Sequence, residues 1–194
     1  RGFKKNKMTT RLTNLPVPYT FQFLITSSGT PEQLTVKRRA ATIAFNENTE
    51  AADTITDSAS GFLVAGFQAG DQITVSGSVS NDGTYTVASV TAGTITLLGR
   101  NDLTTEASGA TVKLIAPKTV PDGVAVTIKA MYSNTGTIRI ADSSEKSLNT
   151  TTGGFGLRNN ESLGIQVDNI DRVWLDATIS GEGVEVIFEK SLQA

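Results

Sequence analysis

The sequence contains no cysteine and no histidine. Those two absences exclude several kinds of chemistry together, because a Ser-His-Asp triad, a Cys-His dyad, a Cys/His zinc site, a histidine or cysteine haem ligand and a histidine pH switch each need a residue type that is missing. No disulfide can stabilise the fold, and both secreted and reducing locations stay open. Aromatic residues make up only 6% of the 194 residues, charged residues only 19%, and proline occurs five times. Apolar runs are short. Tyr19–Ile25 and Gly61–Gly66 fall far below the roughly 20 residues that a spanning helix needs, so no membrane segment is expected. The early lysines are followed by no apolar stretch, which argues against a signal peptide.

What remains is a chain rich in Gly, Thr and Ser, with 38% apolar residues and 17 basic against 19 acidic side chains. That composition predicts an all-β, turn-rich fold with enough apolar material for a core. Five of the basic residues, Arg1, Lys4, Lys5, Lys7 and Arg11, precede any hydrophobic pattern. Met8-Thr9-Thr10 has the form of a translation start, which puts the native status of residues 1–7 in question. Leu15-Pro16-Val17-Pro18 follows, and each proline locks its own φ and holds its predecessor out of the helical region. Residues 1–18 therefore read as an extended arm with a basic start, able to reach a neighbouring acidic surface or to add to a strand edge.

From Tyr19 onward the pattern is one of strands. Tyr19, Phe21, Phe23 and Ile25 alternate with polar or exposed-phase residues, as expected of a strand with one buried aromatic face. Between Lys37-Arg38-Arg39 and Ala116-Pro117-Lys118, strand signals fall at Thr42–Phe45, Phe62–Val64, Gln72–Ser76, Gly83–Val90, Gly93–Leu98 and Ala110–Ile115. Asn81-Asp82-Gly83 is the strongest hairpin signal, with positive φ expected there. This stretch predicts a small barrel or sandwich. After Pro121 come strands at Val124–Ala130 and Thr137–Ile140, a long polar loop over Ala141–Gly156, and strands at Glu161–Val167, Arg172–Ile179 and Val184–Phe188. No helix is expected.

Candidate chemistry is sparse. Glu182 with Glu185, or Asp168 with Asp171, could bring two carboxylates together as glycosidases require, but Asp and Asn in turns ordinarily bond the local backbone. No calcium-loop spacing occurs, and no metal or cofactor is assigned. Gly153-Gly154-Phe155-Gly156 lacks the Gly-Lys-Ser/Thr ending of a phosphate loop and reads as a flexible loop. Lys37-Arg38-Arg39 has no interleaved aromatics in a chain of net charge −2, so it reads as a solvated hinge and not as a nucleic-acid contact. Trp174, the sole tryptophan, sits at a strand position suited to a core or a subunit interface.

Taken together, the motifs resemble those of tailed-bacteriophage virion structural proteins, most closely capsid decoration (cement) proteins. The resemblance is carried by Val120-Pro121-Asp122-Gly123-Val124, by Asn134-Thr135-Gly136, by Asn160-Glu161-Ser162-Leu163, by Asp168-Asn169-Ile170-Asp171-Arg172-Val173-Trp174 and by Gly181-Glu182-Gly183-Val184. In such proteins the aromatic strand with its Gly29–Leu34 tail runs almost directly into the Val-Pro-Asp-Gly segment. Here residues 39–117 intervene, and Ala65-Gly66-Phe67, Ala69–Ser78 and Asn81–Val87 are similar to another phage module. The resemblance thus implies an arm at 1–18, a discontinuous jelly-roll-like or sandwich domain from 19–38 and 118–194, and an inserted β domain at 39–117. It further implies a non-enzymatic protein on the capsid exterior, bridging major capsid protein subunits as a homotrimer, with Arg1, Lys4, Lys5, Lys7, Arg11, Leu15, Pro16, Val17 and Pro18 making partner contacts. A tail, collar or fibre-base component and a carbohydrate-binding module for host attachment are the alternatives.

Overall fold

The computed structural model describes residues 18–100, 102–148 and 153–190. In chain order the elements are β1 (Tyr19–Leu24), β2 (Glu32–Gln33), β3 (Val36–Ala40), β4 (Ile43–Asn46), β5 (Thr54–Asp57), α1 (Phe62–Ala65), β6 (Gln72–Ser76), β7 (Gly83–Val90), β8 (Thr94–Leu97) and β9 (Val112–Ala116). They continue with β10 (Val124–Ala130), β11 (Ile138–Ala141), α2 (Ser144–Leu148), β12 (Phe155–Leu157), β13 (Ser162–Ile165), a 3-10 turn at Ile170–Arg172, β14 (Trp174–Ala177) and β15 (Gly183–Lys190). The fold is all-β, and every strand pair is antiparallel.

Two four-stranded sheets, β1-β15-β10-β13 and β12-β11-β14-β2, are built from the two ends of the chain. Period-two alternation decides which face is buried. Tyr19, Phe21 and Phe23 of β1, Val184, Val186 and Phe188 of β15, and Val126, Ile128 and Ala130 of β10 all point inward. They share one apolar core with Ile138, Ile140, Leu157, Leu175 and Ala177 of the second sheet, as in a β-sandwich. Aromatic rings reinforce the contact, with Tyr19 edge-on to Phe188 at a centroid distance of 5.3 Å.

The seven-stranded sheet, β3-β9-β6-β7-β8-β5-β4, uses only strands between Val36 and Ala116. β7 serves two neighbours: Gly83–Thr86 pair with β6, a bulge follows at Val87–Ser89, and the end of the strand pairs with β8. The bulge bends the strand, so one element turns the corner of the sheet.

Several sequence expectations are corrected. Phe62–Val64 is helical, because the apolar run is closed by Gly66 in the left-handed region at φ 93° and by a preceding turn at Gly61. α2 and β12 occupy the stretch expected to be a long loop, and Gly154–Gly156 runs into a strand and not a flexible loop. Lys37–Arg39 lies within β3, so no hinge exists there, and the whole of Val36–Ala40 pairs with β9 in the seven-stranded sheet. The β6–β7 hairpin forms as expected, but positive φ falls on Gly77, at 84°, and not on Asn81–Gly83. Trp174 is half-buried on β14, opposite Gln33 and Ala141.

Gly154 shows why β12 needs its glycine. A Cβ there would lie 1.8 Å from the Ile140 carbonyl oxygen, so any side chain forces β12 away from β11. Gly154→Ala is expected to cost about 1–3 kcal/mol. A thermal melt would check this, and an unchanged midpoint would show that β12 can shift freely.

Two lysines join the seven-stranded sheet to the sandwich. Lys37 on β3 pairs with Glu32 and lies 4.2 Å from the centroid of the Phe23 ring. Lys118, just after β9, pairs with Asp71 and lies 5.2 Å from the Tyr19 ring centroid, and both members of this ion pair are buried. The Tyr19 hydroxyl donates to the Gly66 carbonyl, and a Cβ on Gly66 would meet the Phe21 Cβ at 2.5 Å. Burial pushes the Asp71 carboxyl up and the Lys118 ammonium down, while their mutual attraction opposes both shifts.

Candidate protein-interaction site

The buried carboxylates hold loops in place. Asp57 accepts hydrogen bonds from Arg38 Nε at 2.7 Å, Thr42 Oγ1 at 2.6 Å, and the Ala59 and Gly61 N–H groups at 3.0 and 3.1 Å. Asp53 accepts from the backbone N–H groups of Asn48, Asp102 and Leu103. Asp176 accepts from Gly29 N–H and faces Arg139 at 3.4 Å. The Asp57 site emerges only from the three-dimensional fold, although Asp-Ser-Ala-Ser-Gly at 57–61 carries the composition of a side-chain-stabilised turn.

Burial alone would raise the Asp57 carboxyl, but the hydrogen bonds from Arg38, Thr42, Ala59 and Gly61 outweigh it and bring the group from 3.8 down to about 2. A depressed carboxylate contributes stability above its unfolded value, and that contribution is lost as the pH falls through the folded one. The melting temperature is therefore expected to fall between about pH 4 and pH 2, and to fall less steeply in Asp57→Asn. Identical slopes for both proteins would contradict this assignment.

The two carboxylate pairs singled out in the sequence do not come together as catalytic pairs. Glu182 is buried, with Oε1 accepting from the Thr135 and Gly136 N–H groups at 2.6 Å each. Glu185 is exposed and faces Lys129 across the strands at 3.5 Å. Asp168 pairs with Arg172 at 3.0 Å, and Asp171 N–H donates to Asn169 Oδ1 within the 3-10 turn. Glu182 thus holds a turn through backbone N–H groups, as turn acids ordinarily do, while Glu185 makes a cross-strand ion pair.

Two surface hollows carry exposed apolar side chains, while Val79, Leu98 and Tyr132, also exposed, line neither. One is a shelf beside β1, where Leu63 and Val64 of α1 are 51% and 57% exposed and Leu24 is 54% exposed. Leu63 and Val64 wall a groove of about 590 Å³ whose floor is the outer face of the first sheet, with Thr20, Gln22, Thr127 and Ile187. Val64 also borders the adjoining hollow that contains Leu24 and the basic Lys37, Arg38 and Arg39. The other is the open side of the sandwich between β12 and β13, a slot of about 540 Å³ that includes Phe155, itself 67% exposed. Of the arm residues read as partner contacts, Arg1, Lys4, Lys5, Lys7, Arg11, Leu15, Pro16 and Val17 lie outside the described residues, while Pro18 is exposed at the start of β1.

Comparison with protein-family models, with curated proteins and with solved structures finds no match.

Proposed function

We propose that this chain is a non-enzymatic structural protein of a tailed-phage virion, which decorates the capsid exterior as a trimer and bridges major capsid protein subunits. The motif resemblance from Val120 to Val184 supplies the virion setting. The observation that carries a binding role is the shelf of Leu24, Leu63 and Val64, three large apolar side chains left exposed next to a mixed polar sheet face. An exposed apolar patch rimmed by polar groups is the ordinary form of a protein-binding surface.

The test is co-sedimentation with undecorated heads. The chain is expected to bind saturably, and a Leu63→Asp, Val64→Asp double variant to bind at least about tenfold more weakly, since a buried interface anchor is worth more than 1 kcal/mol. Circular dichroism would confirm that the variant is folded, as both side chains point to solvent. Undiminished binding would remove the shelf from the interface. Binding to purified tails in place of heads would favour the tail or collar reading.

A further inference from the structure

The first sheet has one strand whose inward face is unfinished. Inward-pointing residues of β1 and β15 and those of β10 from Val126 to Ala130 are buried, yet both Leu163 and Ile165 of β13, and Val167 just beyond, are only partly buried, as is Val124 at the start of β10. They face Ile140, Phe155 and Val173 across the apolar slot on the open side of the sandwich. Among the described residues, both strands that flank this slot are sheet edges: β13 pairs only with β10, and β12 only with β11. The Glu161 carbonyl accepts from Ala130 N–H, and Leu163 and Ile165 stand opposite Ile128 and Val126. By strand alternation, the backbone groups of Ser162 and Gly164 then point away from β10, toward the open edge. An apolar floor, an unpaired backbone edge and a missing neighbour define the seat of an added strand.

Charge identifies the occupant. No acidic residue precedes Glu32, while residues 1–11 carry five basic side chains. The remaining 12 basic residues stand against all 19 acidic ones, so the part of the chain from residue 32 onward has a balance of −7. At the slot, Lys146 and Arg172 are already paired with Asp142 and Asp168. Asp122, in the adjoining hollow with Val167 and Asp168, has no ion-pair partner among the described residues. In an extended segment Met8, Thr10 and Leu12 share one side, with Lys7, Thr9 and Arg11 on the other. That pattern offers apolar groups to the slot, and the basic segment complements the net −7 of the rest of the chain.

We propose that the open edge of β13 receives the N-terminal segment of a second copy of this chain as an added strand, with Met8 and Leu12 filling the slot. Supply from a neighbour follows from the chain's own chemistry. β1 is the opposite edge of the sheet from β13, roughly 14 Å away at three strand spacings. Pro16 and Pro18 each fix their own φ and hold the preceding residue out of the helical region, which disfavours a tight return from β1 to β13 of the same copy. Passing a segment from each copy to the next is a heterologous contact that can close into a ring, such as a trimer. The inference goes beyond capsid binding, because it names the contact between copies and does not depend on what the assembled copies decorate.

The cysteine-free sequence makes the test clean. Two double variants of the full chain, Thr9→Cys with Gly164→Cys and Thr9→Cys with Ser162→Cys, join residues on the face away from the slot and sample neighbouring registers, since a disulfide forms only at Cα separations of about 4.4–6.8 Å. After mild oxidation of the isolated protein, denaturing electrophoresis without reductant is expected to show covalent dimers and larger species from at least one pair. Their yield should exceed that of each single-cysteine control about tenfold, and should fall at high salt as the basic segment is screened. A closed monomer with both thiols consumed would overturn supply by a second copy. No cross-link above the controls from either pair would overturn the strand seat itself. Neither result bears on head binding, which is measured separately.

Discussion

Asp57→Ala is expected to destabilise the protein by about 3–5 kcal/mol, the range for breaking a buried charge pair on one side. The carboxylate is almost fully buried and joins Arg38 of β3, Thr42 before β4, and the Ala59 and Gly61 amides that lead into α1. Its removal leaves a guanidinium, a hydroxyl and two N–H groups without their acceptor. Arg38 also packs over Gly61, where a Cβ would meet the guanidinium carbon at 2.4 Å, so the turn cannot simply collapse into the gap. Since a domain's whole stability is typically about 5–15 kcal/mol, the variant should be close to unfolding at room temperature. Urea titration would measure it, and a loss below about 1 kcal/mol would show that the site is not the anchor of this corner.

The second large effect concerns the buried Lys118–Asp71 pair. Lys118→Ala leaves the Asp71 carboxylate buried with one remaining donor, the Gln68 N–H at 2.9 Å, and should also cost about 3–5 kcal/mol. Replacing both, as Lys118→Met with Asp71→Leu, removes the charges together and should recover most of that loss, because well-packed apolar groups often replace a buried ion pair without penalty. The pair sits where the segment after β9 meets the Tyr19 ring, so the single variant should also loosen the seven-stranded sheet against the sandwich. Hydrogen exchange at Gly66 and Gly70 would report this. Additive losses in the double variant would show that the two residues act independently.

Much of the strand pattern was legible. The β1 aromatics alternate with a period of two, and Gln72–Ser76 and Gly83–Val90 are strands to the residue, because half-buried strands write their two faces directly into the sequence. The misses have physical causes. Phe62-Leu63-Val64-Ala65 is a short apolar run with no period of its own, and the glycines that bound it suit a turn, a strand end or a helix cap equally well. β5 and β12 are short, and β12 is led by glycines that read as loop although close approach to Ile140 demands them. Lys37 and Arg38 looked solvated because their partners, Glu32 and Asp57, and the Phe23 ring become neighbours only when the strands pair. The shelf and the slot were hidden for a related reason. Leu63, Val64 and Phe155 carry ordinary core side chains, and only the packing reveals that the core is elsewhere.

The claim that this chain coats a phage head is tested most directly by imaging purified virions at a resolution that resolves β domains on the capsid. Density for three copies is expected on the outer capsid surface, with the face bearing Leu24, Leu63 and Val64 turned toward the coat. Intact virions with a bare capsid, and this protein found only on the tail or absent from the particle, would contradict it.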